Sequence, residues 1–270
     1  MIDKTKVHLT KIQETLLITL HAKALDHRSK NSILNDKKAD QIINMVDYDF
    51  GKLKSLGNDN LIVVRARQYD EWLKEFLNEN PDAIVLNLGC GLDTRISRIG
   101  SSESVHWFDV DYPEVIRLRG NFYSNRDGYT MIGSSLTDPD WLAEIPNGQP
   151  AMIIAEGVLE YLTGEAVKNL LNRITGHFPQ GQIAFDVMNS YAIRSGQSRA
   201  SRTTGALHKW AVEDPEEVGQ LDPKLKIVTE LSLFGSPYVQ KLPWTFRLIY
   251  GFMSLIPRYE NMLRLLRYQF

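Results

Sequence analysis

Two glycines one residue apart, Gly89 and Gly91, close the apolar run Ile84–Leu88 and lead into Leu92-Asp93-Thr94-Arg95. An apolar run entering a glycine turn reads as a buried strand handing over to a helix. In an open α/β sheet, the carboxyl end of such a strand is where a small ligand sits. Glycines there let the backbone approach a ligand with no Cβ in the way. Taken alone, the pair is also what any tight strand-to-helix turn shows. A dinucleotide fingerprint asks for a third glycine at position 94. Thr94 stands there instead, so the turn suits a nucleoside ligand lying across the backbone.

Asp109 and Asp111 follow at the distance of the end of a second strand. They are expected on opposite sides of it, with Asp111 emerging at the strand end. A carboxylate there accepts hydrogen bonds from both hydroxyls of a ribose; the plainer role for Asp111 is a helix cap ahead of Pro113. Glu156 ends the apolar run Ala151–Ala155. A buried, unpaired carboxylate is costly, so Glu156 should meet an ammonium or a basic side chain. Arg65 and Arg67, ahead of the first strand, are either solvated helix residues or a grip for a carboxylate, which guanidinium binds well. A ribose carboxylate, a glycine turn and an amino-acid clamp together describe S-adenosylmethionine.

The elements that must position these residues are legible in the apolar periodicity. Helices are expected over residues 10–27, from Lys37 to Met45, and from about Ile62 to Asn78, with a turn at 47–51 between the last two. Strands then alternate with helices: Ile84–Leu88, Val105–Val110, Tyr129–Ile132, Ala151–Ala155 and Gln182–Val187, with helices beginning near Thr94, Pro113 and Thr163. That alternation predicts an α/β fold with a doubly wound, mostly parallel, Rossmann-like sheet. Residues 189–224 break the pattern and read as a loop with a short helix. Lys226–Phe234 reads as a further strand, and Leu266–Phe270 as a last one ending inside the sheet. The chain is thus expected to comprise an N-terminal helical region (1–80), a ligand-binding core (81–188 and 225–270) and a helical and loop cap forming a substrate lid (189–224).

Composition narrows the class. The 270 residues are 43% apolar and 24% charged with a formal charge of −2, so no overall positive field recruits nucleic acid or an anionic membrane. One cysteine, Cys90, excludes an intrachain disulfide and suggests a cytoplasmic protein. No run approaches the ~20 apolar residues of a membrane span, and integral membrane association is not expected. The aromatic stretch Leu242 to Leu266 is broken by Arg247, Pro257, Arg258, Glu260 and Arg264; it reads as a cap over an apolar pocket, with Trp244, Phe246, Tyr250 and Phe252 facing the substrate. The histidines show no metal-ligand spacing, and no metal is expected.

The sequence resembles the leucine carboxyl methyltransferase superfamily, and within it the bacterial branch of tetracenomycin polyketide O-methyltransferases. The resemblance rests on Glu14-Thr15-Leu16-Leu17, Lys23-Ala24, Asp47-Tyr48-Asp49-Phe50, Asn87 through Arg95, Asp109 through Val115, Ser134 through Asp138 with Trp141, and Ala155 through Leu162. It implies the class I methyltransferase fold and S-adenosylmethionine as cofactor. Carried over by position, it implies that Arg65 holds the cofactor carboxylate, with Arg67 the alternative because Ala66 stands where a threonine commonly follows the family's arginine. It implies that Gly89 and Gly91 pass under the methionine portion, Asp111 binds the ribose, Ser135 and Leu136 flank the adenine, and Glu156 meets the amino group. Lys23 would close over the site and Tyr161 would face the acceptor.

Asp93 and Arg95 are expected to hold the turn rather than touch substrate, and Cys90 to serve as a small residue under the cofactor. His208 is a base or a solvated loop residue. A carboxylate acceptor is ionised at neutral pH and needs no base, whereas a phenol benefits from one. The absence of an obvious base favours methyl-ester formation on an apolar small molecule. An NAD-dependent oxidoreductase and a non-catalytic S-adenosylmethionine-binding module are the rival readings. The oligomeric state is left open.

Overall fold

The computed structural model describes residues 5–6, 14–53, 59–100, 102–196 and 207–270. Three helices come first: α1 (Glu14–Arg28), α2 (Lys37–Met45) and α3 (Asp59–Glu79). The expected start of α1 at residues 10–13 lies outside the described residues. Two short strands, β1 (Thr5–Lys6) and β2 (Val46–Asp47), pair in parallel beside these helices. α2 starts where the Asp36 side chain accepts the Ala39 N–H at 2.9 Å, satisfying one of the free donors of a helix end.

The alternating part follows as β3 (Ile84–Leu88), α4 (Arg95–Ile99), β4 (His106–Asp111), α5 (Pro113–Arg119), β5 (Tyr129–Gly133), β6 (Ala151–Ala155), α6 (Gly164–His177) and β7 (Gly181–Met188). α7 (Ser190–Gly196) and α8 (Glu216–Leu221) lie within the aperiodic stretch 189–224, of which residues 197–206 lie outside the described residues. β8 (Lys226–Ser232), α9 (Trp244–Ser254), α10 (Pro257–Glu260) and β9 (Leu263–Gln269) end the chain. The seven-stranded sheet has the order β5-β4-β3-β6-β7-β9-β8. β3 to β7 pair in parallel, while β9 runs antiparallel between β7 and β8. The final strand therefore ends inside the sheet, as the apolar tail predicts, but starts at Leu263.

Every residue of β3 and of β6 is buried, because helices cover both sheet faces. Period two sorts their side chains. Ile84, Leu86 and Leu88 join Ile153, Ala155, Ile183 and Phe185 against α6. Val85, Met152, Ile154 and Ala184 pack against α1, α2 and α3. The same parity places Asn87, Asp109, Asp111, Glu156 and Asp186 toward the N-terminal helices. Asp109 and Asp111, two residues apart, share a face and do not divide between opposite sides of β4 as expected. Tyr112, rather than Asp111, is the N-cap of α5, with Pro113 in its first turn.

The aromatic tail also departs from expectation. Tyr250 is buried against Phe234 and Phe246 is half-buried, but Trp244 and Phe252 are 65% and 66% exposed and turned to solvent. Among the described residues no helix is long and apolar enough to cross a membrane.

Candidate active site

Polar side chains in buried strands need partners, and here the N-terminal helices and α4 supply them. Arg65, on α3, donates from Nε to Glu156 Oε1 at 3.2 Å and from Nη1 to Asp186 Oδ2 at 3.0 Å. Arg95, fully buried, donates from Nη2 to the other Glu156 oxygen at 2.5 Å and from Nε to Asp70 at 2.9 Å, and pairs with Asp93 at 2.9 Å. Arg98 binds Asp70, Asp36 and Asp93, and Lys23 from α1 reaches Asp93 at 2.6 Å. Four cations thus face five carboxylates in one buried network.

The network sets the protonation of its members. Burial alone would push the Glu156 carboxyl up; Lys23, Arg65 and Arg95 outweigh it and hold it down at about 2. Asp93 behaves the same way, its burial overcome by Arg95, Lys23 and Arg98, so it stays well below the usual carboxylate range. Asp111 differs. Burial pushes it up to about 6, although the N–H groups of Gly91 and Tyr112, each at 2.7 Å, favour its ionised form.

The glycine turn lies between these groups. Gly89 and Gly91 have φ of 59° and 50°, a region that side-chain-bearing residues rarely adopt. A Cβ at Gly89 would lie 2.0 Å from a methyl of Val158, and one at Gly91 2.7 Å from a methyl of Leu16. Arg119, wholly buried on α5, holds the turn from below. It donates to the carbonyls of Gly91 at 3.2 Å and Asp93 at 2.6 Å and to Asp109 at 2.5 Å. Asp109 is also bonded by Tyr129, Trp107 and Asn87, so it is a structural carboxylate rather than a ligand group. Thr94 is buried with its hydroxyl on Asp36, and the Thr94 N–H is taken by Asp93 at 2.8 Å.

The other expected residues sort clearly by location. Ser135 and Leu136 follow β5 beside Asp111, whose carbonyl accepts the Ser134 N–H at 2.8 Å. Leu136 is buried in the core, and Ser135 bonds Thr137 at 2.8 Å. Arg67 points away from the strand ends: it pairs with Glu71 one helical turn on and lies over Tyr238. Of the two arginines, only Arg65 meets Glu156. Tyr161 packs against His208 with ring centroids 4.9 Å apart and the rings tilted by 32°, and burial lowers the imidazole from its ordinary value. Burial raises the Cys90 thiol well above its ordinary value, which suits a packing residue.

Sequence reasoning passed over Asp36, Asp70, Arg98, Arg119, Asp186 and Glu160. Asp186 carried the same signal as Glu156, an acid inside an apolar strand. The helix residues carried none, because a charged residue on a helix is ordinarily solvated.

The residues present fit a zwitterionic nucleoside ligand. Arg65 and Glu156 hold each other by the 3.2 Å bond, and each has a second partner behind it, Asp186 and Arg95. Opening that one bond frees a cation for a ligand carboxylate and an anion for a ligand ammonium, with neither left stranded.

A family model described as leucine carboxyl methyltransferase matches residues 16–175. The chain is 39% identical to the tetracenomycin polyketide synthesis O-methyltransferase TcmP of Streptomyces glaucescens, across 98% of both proteins. It is 34% identical to the S-adenosyl-L-methionine-dependent methyltransferase dpfgK of Gibberella zeae, across 83% of each. A solved structure from Thermobifida fusca YX, named only provisionally as a methyltransferase, shares the fold with a TM-score of 0.59 at 17% identity, covering 92% of this chain and 93% of that one. A DUF574 family protein of Streptomyces avermitilis does so at 0.58 and 11% identity, covering 92% and 96%.

Proposed function

Because the chain belongs to the leucine carboxyl methyltransferase family and is an S-adenosylmethionine-dependent O-methyltransferase, we propose that it forms a methyl ester on a small, apolar, polyketide-like carboxylic acid. The observation that carries the cofactor placement is the Arg65–Glu156 pair at the end of β6, backed by Asp186 and Arg95. Arg65 would take the cofactor carboxylate and Glu156 its ammonium. Asp111 would take the ribose hydroxyls, and Ser135 and Leu136 would flank the adenine. Lys23, locked on Asp93, holds α1 over the turn so that Leu16 covers Gly91.

When bound, S-adenosylmethionine supplies an electrophilic methyl on a sulfonium. The chain's own task is alignment and exclusion of water. Charge supports the pairing: the buried network carries one more carboxylate than cations, and the cofactor carries one net positive charge until its methyl is lost. Substrate is thereby held more tightly than the demethylated product.

The acceptor side of the reading rests on chemistry and on the relatives. TcmP is named for polyketide synthesis, and the family for a carboxyl acceptor. A carboxylate acceptor arrives ionised. The described ends of the 189–224 stretch, 189–196 and 207–224, begin at the end of β7 and return to the Glu160 turn, and would border the acceptor side of the site. The test is incubation with methyl-labelled cofactor and a panel of fused-ring aromatic acids and matched phenols. Methyl esters release volatile methanol in base and aryl methyl ethers do not. A base-labile product from the acids supports the reading; base-stable product from the phenols alone refutes it. A hydroxyl acceptor is the second reading, favoured by the neutral His208 imidazole against Tyr161.

A further inference from the structure

The chain leaves β6 through Gly157, whose N–H is bonded to Asp186 at 2.8 Å, and turns across the glycine loop at Val158. Glu160 lies in this turn. Its backbone carbonyl accepts the N–H groups of Lys209 at 2.7 Å and Trp210 at 3.3 Å, which tie the returning end of the 189–224 stretch to it. Its side chain faces inward: Glu160 is 5% exposed, and its Oε2 is buried with no hydrogen-bond partner among the described residues. A carboxyl oxygen buried without a partner is expensive and calls for an explanation such as a ligand. The Glu160 side chain interacts electrostatically with the Arg65–Glu156 pair, on which the cofactor's amino-acid portion is placed above, and with Asp186 and Tyr161.

We propose that Glu160 is an acceptor-binding residue, donating a hydrogen bond from its carboxyl group to one oxygen of the acceptor carboxylate and leaving the other oxygen aimed at the methyl. The proposal rests on the methyl-ester reading above. The titratable and charged groups that face Glu160 are Arg65 from α3, Glu156 just past β6, Asp186 from β7 and Tyr161 from its own turn. Burial and the neighbouring Asp186 push the Glu160 carboxyl up to about 8, with Arg65 opposing and Glu156 adding to the rise. Arg65 does not reverse the effect because it already serves two carboxylates. Glu160 therefore carries a proton at neutral pH. An O–H donated to a carboxylate is a charge-assisted bond, stronger than a neutral one. In the transfer an O–CH3 bond forms and the S–CH3 bond breaks, its electron pair going to sulfur. No proton moves, and Glu160 keeps its own.

The test uses the whole protein with methyl-labelled cofactor and an anthracene carboxylic acid as acceptor, from about pH 6.5 to about pH 9.5, a range that brackets the titration. Wild-type kcat/KM should hold level to about pH 8 and then fall tenfold per pH unit, as ionised Glu160 repels the acceptor. E160Q keeps a neutral N–H donor and should stay within about threefold at pH 7, without the alkaline fall. E160A should lose about tenfold or more, mostly in KM, also without the fall.

A wild-type profile with no alkaline fall overturns the proposal without recourse to any variant. So does an E160Q profile that keeps the fall. A rate that rises through pH 8 and is abolished in E160Q overturns it, because the ionised carboxyl rather than the protonated one would then be the active form. Wild type that binds S-adenosylhomocysteine yet methylates no acid overturns this proposal and the ester reading while leaving the cofactor placement intact.

Discussion

Replacing Glu156 by Gln removes one charge from the middle of the buried network with little change of shape. In the folded protein that carboxyl is held at about 2 against an ordinary 4.5, which makes its ionised form worth roughly 3 kcal/mol. The sign follows from the direction. A carboxyl depressed on folding contributes stability above its unfolded value, and that contribution is lost as pH falls from about 4.5 toward about 2. Stranding one partner of an isolated buried pair costs ~3–5 kcal/mol. Here Arg65 keeps Asp186, and Arg95 keeps Asp70 and Asp93. A loss of about 1–3 kcal/mol is therefore expected at pH 7, or roughly 2–10 °C in melting temperature for a chain of this size. The cofactor loses a charge-assisted bond of about 1.5–3 kcal/mol, which is about 10- to 150-fold in Kd. Thermal melts at neutral and acid pH give the first quantity, and calorimetric titration with S-adenosylhomocysteine gives the second. A variant that melts lower but binds as wild type does would refute the placement of the ammonium. Arg67→Ala is the control: its pair with Glu71 is partly exposed, so stability should move by less than about 0.5 kcal/mol with Kd unchanged.

Gly89→Ala places a methyl 2.0 Å from Val158 at a φ of 59°. It should destabilise by more than about 2 kcal/mol and abolish cofactor binding; a stable variant with wild-type affinity would contradict the turn geometry. On the proposed placement Asp111, pushed up to about 6 by burial, would take the ribose hydroxyls in its ionised form, so affinity should climb as pH rises through about 6 and then level. The same rise means that ionising it costs folding stability between its ordinary value of 3.8 and about 6. Asp111→Asn should flatten the affinity profile, and an unaltered profile by calorimetry would exclude Asp111. Arg119→Lys keeps the charge but loses the planar fork that reaches Asp109 and two turn carbonyls at once. It should cost about 2–4 kcal/mol in urea unfolding, and a near-neutral result would show that the turn does not depend on it.

Much of this architecture was legible because it obeys period two or period 3.6. β3 and β6 lie where their apolar runs end, and Glu156 was identifiable as an acid closing one of them. The choice between Arg65 and Arg67 was not. Both sit on α3, and only the packing of that helix on the sheet decides which meets Glu156. Asp109 and Asp111 show a different failure. Their shared face follows from their spacing, and the two still serve different purposes, because Arg119 and Tyr129 claim the first. Glu160 was hidden among apolar turn residues, where sequence alone does not tell an exposed glutamate from a buried one. Trp244 and Phe252 mislead in the opposite sense: aromatic, yet turned to solvent.

The position that first separates this turn from a dinucleotide site has a structural reason. In a pyrophosphate site the helix after the glycines offers free N–H groups and the positive end of its dipole to phosphate. Here Asp93 already occupies that place, accepting the Thr94 N–H at 2.8 Å and ringed by Lys23, Arg95 and Arg98. Thr94 in turn is bound to Asp36 and to Arg98, a role that a glycine has no side chain to fill. A diphosphate brought to this turn would meet a carboxylate held firmly ionised rather than open donors. The Asp93-Thr94 step of the tail therefore fills, with its own carboxylate and hydroxyl, part of the place that a third glycine leaves open in a dinucleotide turn.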